Sequence, residues 1–122
     1  MRRIAPIVLL LFVACSTSSL VWYQKQEQDT LYIGTNKQHG GVVSDAEWQQ
    51  FLTEVVSPRF SGYTHWMAHG VWMNQGEETH VIVFVHAQGH EAAILEIIAE
   101  GKRRLDQQEI LQVREDVWLQ NK

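Results

Sequence analysis

The sequence is poor in the residues that mark several classes of protein. Cys15 is the one cysteine among 122 residues, so no disulfide can form within the chain. The 10 lysine and arginine residues are outnumbered by 14 aspartate and glutamate residues, which leaves no positive excess to bind a nucleic acid. The apolar stretch at residues 4–13 is too short for a permanent membrane-spanning helix, which needs about 20 residues. These shortages exclude a disulfide scaffold, a nucleic-acid-binding domain and a multi-span membrane protein.

The N-terminal residues have the pattern of an export signal. Two arginines follow the first methionine, and the apolar stretch then leads to Ala14 and Cys15. Residues 12–15 (FVAC) resemble a bacterial lipobox, although Phe12 stands where leucine is usual. The resemblance implies a signal peptide over residues 1–14 and acylation of Cys15, and Ser16 is similar to residues that direct lipoproteins to the outer membrane. The alternative is ordinary cleavage nearby, which releases a soluble exported protein.

Residues 15–30 are expected to form a polar tether between the membrane and the domain. They are rich in serine, glutamine and charged residues, and they lack a hydrophobic period apart from residues 20–23. Trp22 and Tyr23 either lie at the lipid interface or pack back on the domain.

Residues 31–122 are expected to fold as a single α+β domain. The short apolar run Leu31–Ile33 predicts a first strand, and Ser44 with Glu47 fits the capping box of a helix that ends before Pro58. Further patterns predict strands at 63–73 and 79–87 with a hairpin loop at 74–78, a helix from about residue 89 to 105, and a last strand at 110–113. This β-α-β-β-α-β order predicts a ferredoxin-like sandwich, with two helices on one face of a four-stranded antiparallel sheet.

Several motifs resemble the signature of the bacterial family catalogued as domain of unknown function 3574. They are residues 55–60 (VVSPRF), Gly62 with Thr64, and residues 70–72 (GVW), within a match over about residues 31–118. The resemblance implies the same fold and a lipoprotein-type signal, in agreement with Cys15, but no established activity. Three positions depart from the family pattern, because an aromatic residue, a phenylalanine and a proline are expected at Gly101, Leu105 and Ser61. The second helix is therefore expected to pack differently or to leave a groove.

The six histidines suggest metal binding or acid–base chemistry. If Asn74 faces Thr79 across the hairpin, His69 and His86 become diagonal neighbours about 7 to 8 Å apart, close enough to share one metal ion. No His-Glu-x-x-His motif accompanies them in the sequence. Half-buried histidines on an open or dimeric sheet face explain the same pattern.

Arg59 is the most informative single candidate for ligand binding. It follows the helix-ending Pro58, where it either binds the last helix carbonyl groups or holds a ligand carboxylate in a polar site with Thr64 and Glu47.

The tryptophans and the hairpin acids have structural interpretations. Trp48, Trp66 and Trp72 have the spacing of core residues, although five tryptophans in a short chain also suit an apolar ligand, for which Trp72 is a candidate. Glu77 and Glu78 are expected at a solvated hairpin tip.

The sequence contains no nucleophile elbow, phosphate-binding glycine loop, zinc-protease helix or dinucleotide fingerprint. We therefore expect an exported, lipid-anchored envelope protein at the outer membrane, facing the periplasm, with a small binding or accessory domain and no cofactor. The alternative is a small dimeric enzyme or metal-binding protein that uses His69, His86 and Arg59. The expected partners are the membrane, through Cys15, and a second copy, through the sheet face.

Overall fold

The computed structural model describes residues 21–120, and it confirms the predicted element order. Strand β1 spans Tyr23–Gly34, helix α1 Asp45–Phe51, strand β2 Thr64–Trp72, strand β3 Gln75–His86, helix α2 Glu91–Arg104 and strand β4 Leu111–Gln120. The strands form one antiparallel sheet in the order β2-β3-β1-β4. The fold is therefore the ferredoxin-like α+β sandwich. Within the described part of the chain, no helix is long and apolar enough to cross a membrane.

The first strand is much longer than the sequence predicts. Residues 23–30, which we expected to form part of the tether, are the first two-thirds of β1 and pair with β4 from Tyr23 onward. The strand was not predicted because its residues are polar on both faces and show no apolar alternation. The glutamine side chains lie on the helix-free face of the sheet, and the charged side chains lie on the other face. The boundary at residue 30 is thus wrong, and the remaining predictions for residues 1–20 lie outside the described residues.

Helix α1 begins at the predicted cap and ends in a wider turn. The backbone N–H of Glu47 donates to Ser44 Oγ at 3.1 Å, which confirms Ser44 as the N-cap. Leu52–Val56 form a π-helical turn, in which the N–H of Ser57 donates to the carbonyl of Leu52 at 2.8 Å. This turn keeps Val55 and Val56 on the buried face of the helix.

The core lies between the helices and one face of the sheet. Its fully buried members are Leu31, Ile33, Phe51, Val55, Val56, Ile82, Phe84, Ile94, Ile97 and Leu105. Gly101 allows α2 to approach closely, because a Cβ at this position would lie 2.8 Å from Ile110 Cδ1 and 3.3 Å from Phe51 Cζ. Ile110 and Phe51 thus occupy the space beside Gly101.

The β2–β3 hairpin has a different register from the predicted one. Trp72 pairs with Gln75, so the loop is the two-residue turn Met73–Asn74 and not residues 74–78. Met73 and Asn74 both have positive φ, at 47° and 63°, as a type I′ turn requires. The expected pairing of Asn74 with Thr79 is therefore wrong, and β3 begins four residues earlier than predicted.

Candidate ligand-binding groove

The helix-free face of the sheet, here called the open face, is almost free of charge. Alternation along the strands places on it the even-numbered residues of β1 and β2 and the odd-numbered residues of β3 and β4. Among these described positions, Glu77 and Glu115 carry the only charges. Its exposed apolar side chains are Tyr32, Trp66, Trp72, Val85, Leu111, Val113 and Leu119. An exposed face with few charges and several aromatic side chains is typical of a surface that binds a protein or a ligand.

A groove of about 660 Å³ opens at one end of this face. Its floor is formed by Gly34 of β1, Gly70 of β2 and Thr79 of β3, and Tyr32, Trp72 and Leu111 provide apolar surface around the floor. The rest of the lining consists of Asn36, Gln38, Val71, Gln75, Glu77, Gln107, Gln108, Glu109 and Ile110. The volume falls within the range of about 300 to 1,000 Å³ that is typical of small-molecule sites.

The loops that border the groove are bonded to one another. The N–H of Gln38 donates to the carbonyl of Asp106 at 2.8 Å, and the side-chain amide of Gln107 donates to the carbonyl of Asn36 at 3.1 Å. The N–H of Thr35 donates to the carbonyl of Glu78 at 3.0 Å, which joins the same loop to β3. The groove is therefore formed before a ligand arrives, which lowers the entropy cost of binding.

Glu77 is held at the floor of the groove because the neighbouring position on β1, Gly34, lacks a side chain. A Cβ on Gly34 would lie 2.7 Å from both carboxylate oxygens of Glu77, and Glu77 pairs across the hairpin with Gly70. The N–H of Asn36 donates to Glu77 Oε2 at 3.2 Å. Glu77 is half-buried in this position, so the expected solvated hairpin tip is wrong for this residue.

A buried polar cluster lies on the opposite, helix-covered face. Both Asp29 oxygens are surrounded by nitrogens: Gln112 Nε2 and Arg114 Nε lie 2.8 and 3.0 Å from Oδ1, and His86 Nε2 and Arg114 Nη2 lie 2.7 and 3.0 Å from Oδ2. His86 Nδ1 donates to the carbonyl of Ala87 at 2.7 Å. Burial raises the pKa of Asp29, but the hydrogen bonds from Arg114, Gln112 and His86 outweigh it and hold the pKa below its ordinary value.

This cluster also offers the best metal-like donor set among the described residues. Ligand atoms of Glu27, Asp29 and His86 lie within 4.8 Å of one another. However, Arg114 Nε is 3.0 Å from Asp29 and 3.5 Å from Glu27, so the guanidinium already supplies the positive charge that a cation would bring. The arrangement is a satisfied ion network that joins β1, β3 and β4.

His69 and His86 are not neighbours. His69 pairs with Glu78, eight residues along β3 from His86, which corresponds to about 26 Å. His69 is exposed, with Nδ1 3.3 Å from Glu78 Oε1, whereas His86 is buried against Phe60. The shared metal site that we expected from the hairpin register is therefore not formed. The alternative function as a small enzyme or metal-binding protein relied on this histidine pair, which the structure does not bring together.

Arg59, Thr64 and Glu47 are not brought together either. Arg59 Nη1 donates to the carbonyl of Val55 at 2.8 Å and Nε donates to Glu96 at 2.9 Å, so Arg59 binds the helix end. Glu47 pairs with Lys37 at 2.8 Å, and Thr64 lies exposed on the open face opposite Val83. The polar site predicted from these three residues is absent from the described structure.

The tryptophans divide between core and surface. Trp48 is buried and stacks on His80, with ring centroids 3.8 Å apart, as expected for a core residue. Trp66 and Trp72 are exposed on the open face, so the prediction that both belong to the core is wrong. Trp72 lines the groove, and its role in ligand binding stays a prediction.

The fold and the groove define a class: a ferredoxin-like α+β domain with an open sheet face and no catalytic constellation among the described residues. The chain belongs to the family described as "Protein of unknown function (DUF3574)", whose model matches residues 28–120. The resemblance noted in the motifs is therefore confirmed as to family.

Two solved structures are similar to this chain. One is a phage SAM lyase in complex with S-methyl-5′-thioadenosine, with a TM-score of 0.55, 9% identity, and coverage of 79% of this chain and 90% of that one. The other is described as a PII-like signalling protein from Thermus thermophilus, with a TM-score of 0.42, 17% identity, and coverage of 80% and 90%. The likeness to the lyase is one of fold alone. None of the curated proteins is detectably similar in sequence.

Proposed function

We propose that this protein is an exported cell-envelope protein, anchored through acylated Cys15, whose domain binds a small ligand in the groove of the open face. The observation that carries the binding role is the groove itself: a preformed cavity of about 660 Å³, bordered by Trp72, Tyr32 and Leu111, on a sheet face with few charges. Because the described residues hold no nucleophile and base in contact within this groove, binding is favoured over catalysis.

The envelope anchor is supported by residues on both sides of the signal boundary. Cys15 ends the signal-like segment, and Val21, Trp22 and Tyr23 are exposed where the described chain enters β1. Aromatic side chains are enriched at the level of lipid headgroups, so an exposed Trp-Tyr pair close to an acylated cysteine favours contact with a membrane over packing on the domain. An outer-membrane position facing the periplasm belongs to the same proposal.

The anchor is tested by the intact mass of the protein recovered from membranes, compared with the Cys15→Ser variant. We expect a mature chain that begins at Cys15 and carries acyl groups, which the variant lacks. An identical, unacylated mass for both proteins would overturn the anchor and leave the binding role standing.

The binding role is tested by NMR of the full chain labelled with [¹⁵N]glycine. Gly34 and Gly70 report from the groove floor, while Gly62 and Gly89 serve as references outside it. We expect fragments from a small library to shift the Gly34 and Gly70 signals, and Trp72→Ala to weaken this response. Trp118→Ala is the matched control, because Trp118 is equally exposed but lies on the other face of β4. Absence of any fragment response at the groove glycines would refute the binding role.

A second proposal concerns the partner of the open face, which is suited to a homodimer formed sheet to sheet. Four strands about 4.8 Å apart and about ten residues long cover roughly 600 Å². This equals the lower end of the roughly 600 to 1,000 Å² that each partner buries in a stable interface. The exposed Trp66 and Val113 lie on this face, outside the groove. A second copy would thus cover the face and roof the groove.

The dimer is tested by light scattering on the full chain. We expect a mass of twice the 14.1 kDa chain for the wild type and a single-chain mass for Trp66→Glu. Leu95→Glu is the control, because Leu95 is exposed on α2, away from the open face. A single-chain mass for the wild type would rule out the dimer.

A further inference from the structure

The charged groups that line the groove are all acidic. Glu77 and Glu109 belong to the lining, and no lysine or arginine does. Glu109 pairs with Lys102 at 3.4 Å at the groove's border. Within residues 21–120, none of the ion pairs involves Glu77. Glu77 is therefore a half-buried carboxylate in the groove, and no lysine, arginine or histidine within residues 21–120 forms an ion pair with it.

The position of this carboxylate is well defined. The glycine at position 34 leaves room for both oxygens above β1, and the N–H of Asn36 holds Oε2 at 3.2 Å. One neutral hydrogen bond leaves most of the acceptor capacity of a carboxylate free, because its two oxygens together offer about four lone-pair sites. The free acceptor sites make Glu77 a suitable partner for an N–H or ammonium group.

Two aromatic side chains share the groove with Glu77. Trp72 neighbours Gly70 on the same face of β2, diagonal to Glu77 across the hairpin, and Tyr32 lies two residues before Gly34 on the same face of β1. Aromatic faces attract cations through the ring quadrupole, and they also provide the apolar surface that an organic cation needs. The remaining polar side chains at the border are mainly the uncharged amides of Gln75, Gln107 and Gln108.

We infer that the groove binds a small organic cation, namely an ammonium group on an apolar body, with the charged nitrogen at Glu77 and the body against Trp72 and Tyr32. This inference rests on the proposed binding role of the groove and adds the chemical class of the ligand. Charge complementarity carries it, because an anion would meet Glu77 and Glu109 without a described cation in the lining to receive it.

The experiment compares three probes of one shape and different charge: 3-phenylpropylamine, 3-phenylpropanol and 3-phenylpropionate. Each is titrated into the full, [¹⁵N]glycine-labelled chain while the Gly34 and Gly70 signals are followed. We expect the amine to bind about tenfold more tightly than the alcohol, the range of a charge-assisted contact, and the carboxylate to bind more weakly than both.

Two single-atom variants locate the charge effect. Glu77→Gln keeps the size of the side chain and its bond from Asn36, and it should reduce the affinity for the amine about tenfold while leaving the affinity for the alcohol unchanged. Glu78→Gln is the matched control, because Glu78 is the adjacent carboxylate on the opposite face of β3, where it contacts His69. It should leave both affinities unchanged.

The outcomes separate this inference from the binding role. Equal affinities for the amine and the alcohol would overturn the inference while leaving the groove as a ligand site. An equal loss of amine affinity in Glu77→Gln and Glu78→Gln would also overturn it, since the effect would then come from overall charge. If none of the three probes shifts the NMR signals of Gly34 and Gly70, the inference is overturned. The binding role is then tested separately by the broader fragment screen.

Discussion

Asp29 should be one of the residues whose loss costs this fold most. Its carboxylate is fully buried and accepts hydrogen bonds from Gln112 and from two nitrogens of Arg114, while His86 Nε2 lies 2.7 Å away. In Asp29→Asn one oxygen becomes an NH₂ group, and on either side this donor faces a nitrogen of Arg114, which cannot accept a hydrogen bond. Arg114 is about one-third exposed and also lies 3.5 Å from Glu27 and from Glu91, so its charge keeps partners in the variant. The loss is therefore that of a buried carboxylate replaced by an imperfectly paired amide, about 2 to 3 kcal/mol.

Urea unfolding followed by circular dichroism measures this loss. At an m-value of about 1 to 2 kcal/mol/M for a domain of this size, a loss of about 2 to 3 kcal/mol should lower the midpoint of Asp29→Asn by about 1 to 3 M. Should that variant not fold, Gln112→Leu provides a milder change, since it removes one hydrogen bond and should cost about 1 to 2 kcal/mol.

Asp116→Asn is the matched control for the urea experiment. Asp116 lies on the same sheet face and pairs with Lys25 at 3.2 Å, but both side chains are about half exposed, so its loss should cost less than about 1 kcal/mol. Equal midpoints for Asp29→Asn and Asp116→Asn would refute the view that the buried network holds β1, β3 and β4 together.

Three further predictions follow from single residues. The pKa of Asp29 lies below its ordinary value of 3.8, so its stabilising effect is present above that pH and should be lost as the pH falls through the lower folded value; an acid titration of the unfolding free energy should show a loss that the Asp29→Asn variant lacks. Burial, with a smaller contribution from His65, lowers the pKa of His80 from 6.5, so the unfolded chain binds more protons and stability should fall as the pH drops below about 6.5; in His80→Phe, which keeps an aromatic ring against Trp48, this part of the pH dependence should disappear. Met73 has a φ of 47°, a left-handed conformation that asparagine tolerates better, so Met73→Asn should raise the melting temperature, whereas a lower melting temperature would contradict the turn geometry.

The fold was predictable because its signals are local and repeated. The capping box at Ser44, the apolar stripe that follows it and the alternation along β3 each specify an element without reference to the rest of the chain. The first two-thirds of β1, residues 23–30, carried no such signal. Asp29 there looks like a tether residue, and its burial depends on Arg114, 85 residues away in sequence. A polar strand that is stabilised by a distant ion network cannot be recognised from a local pattern.

The candidate site was less predictable because it depends on hairpin register. A two-residue turn at Met73–Asn74 places Glu77 within the strand and over the sheet, whereas a loop at residues 74–78 would leave it in solvent. The same shift of register moves His69 away from His86. Trp72 is exposed for another reason, because no helix covers the sheet face on which it lies. Gly34 and Gly70 were the available signal, because glycines within strands mark places where another group approaches the backbone closely. At Gly34 that group is the Glu77 carboxylate, and at Gly70 it is the Thr79 hydroxyl, so the glycine at position 34 indicates where the charge of the groove is held.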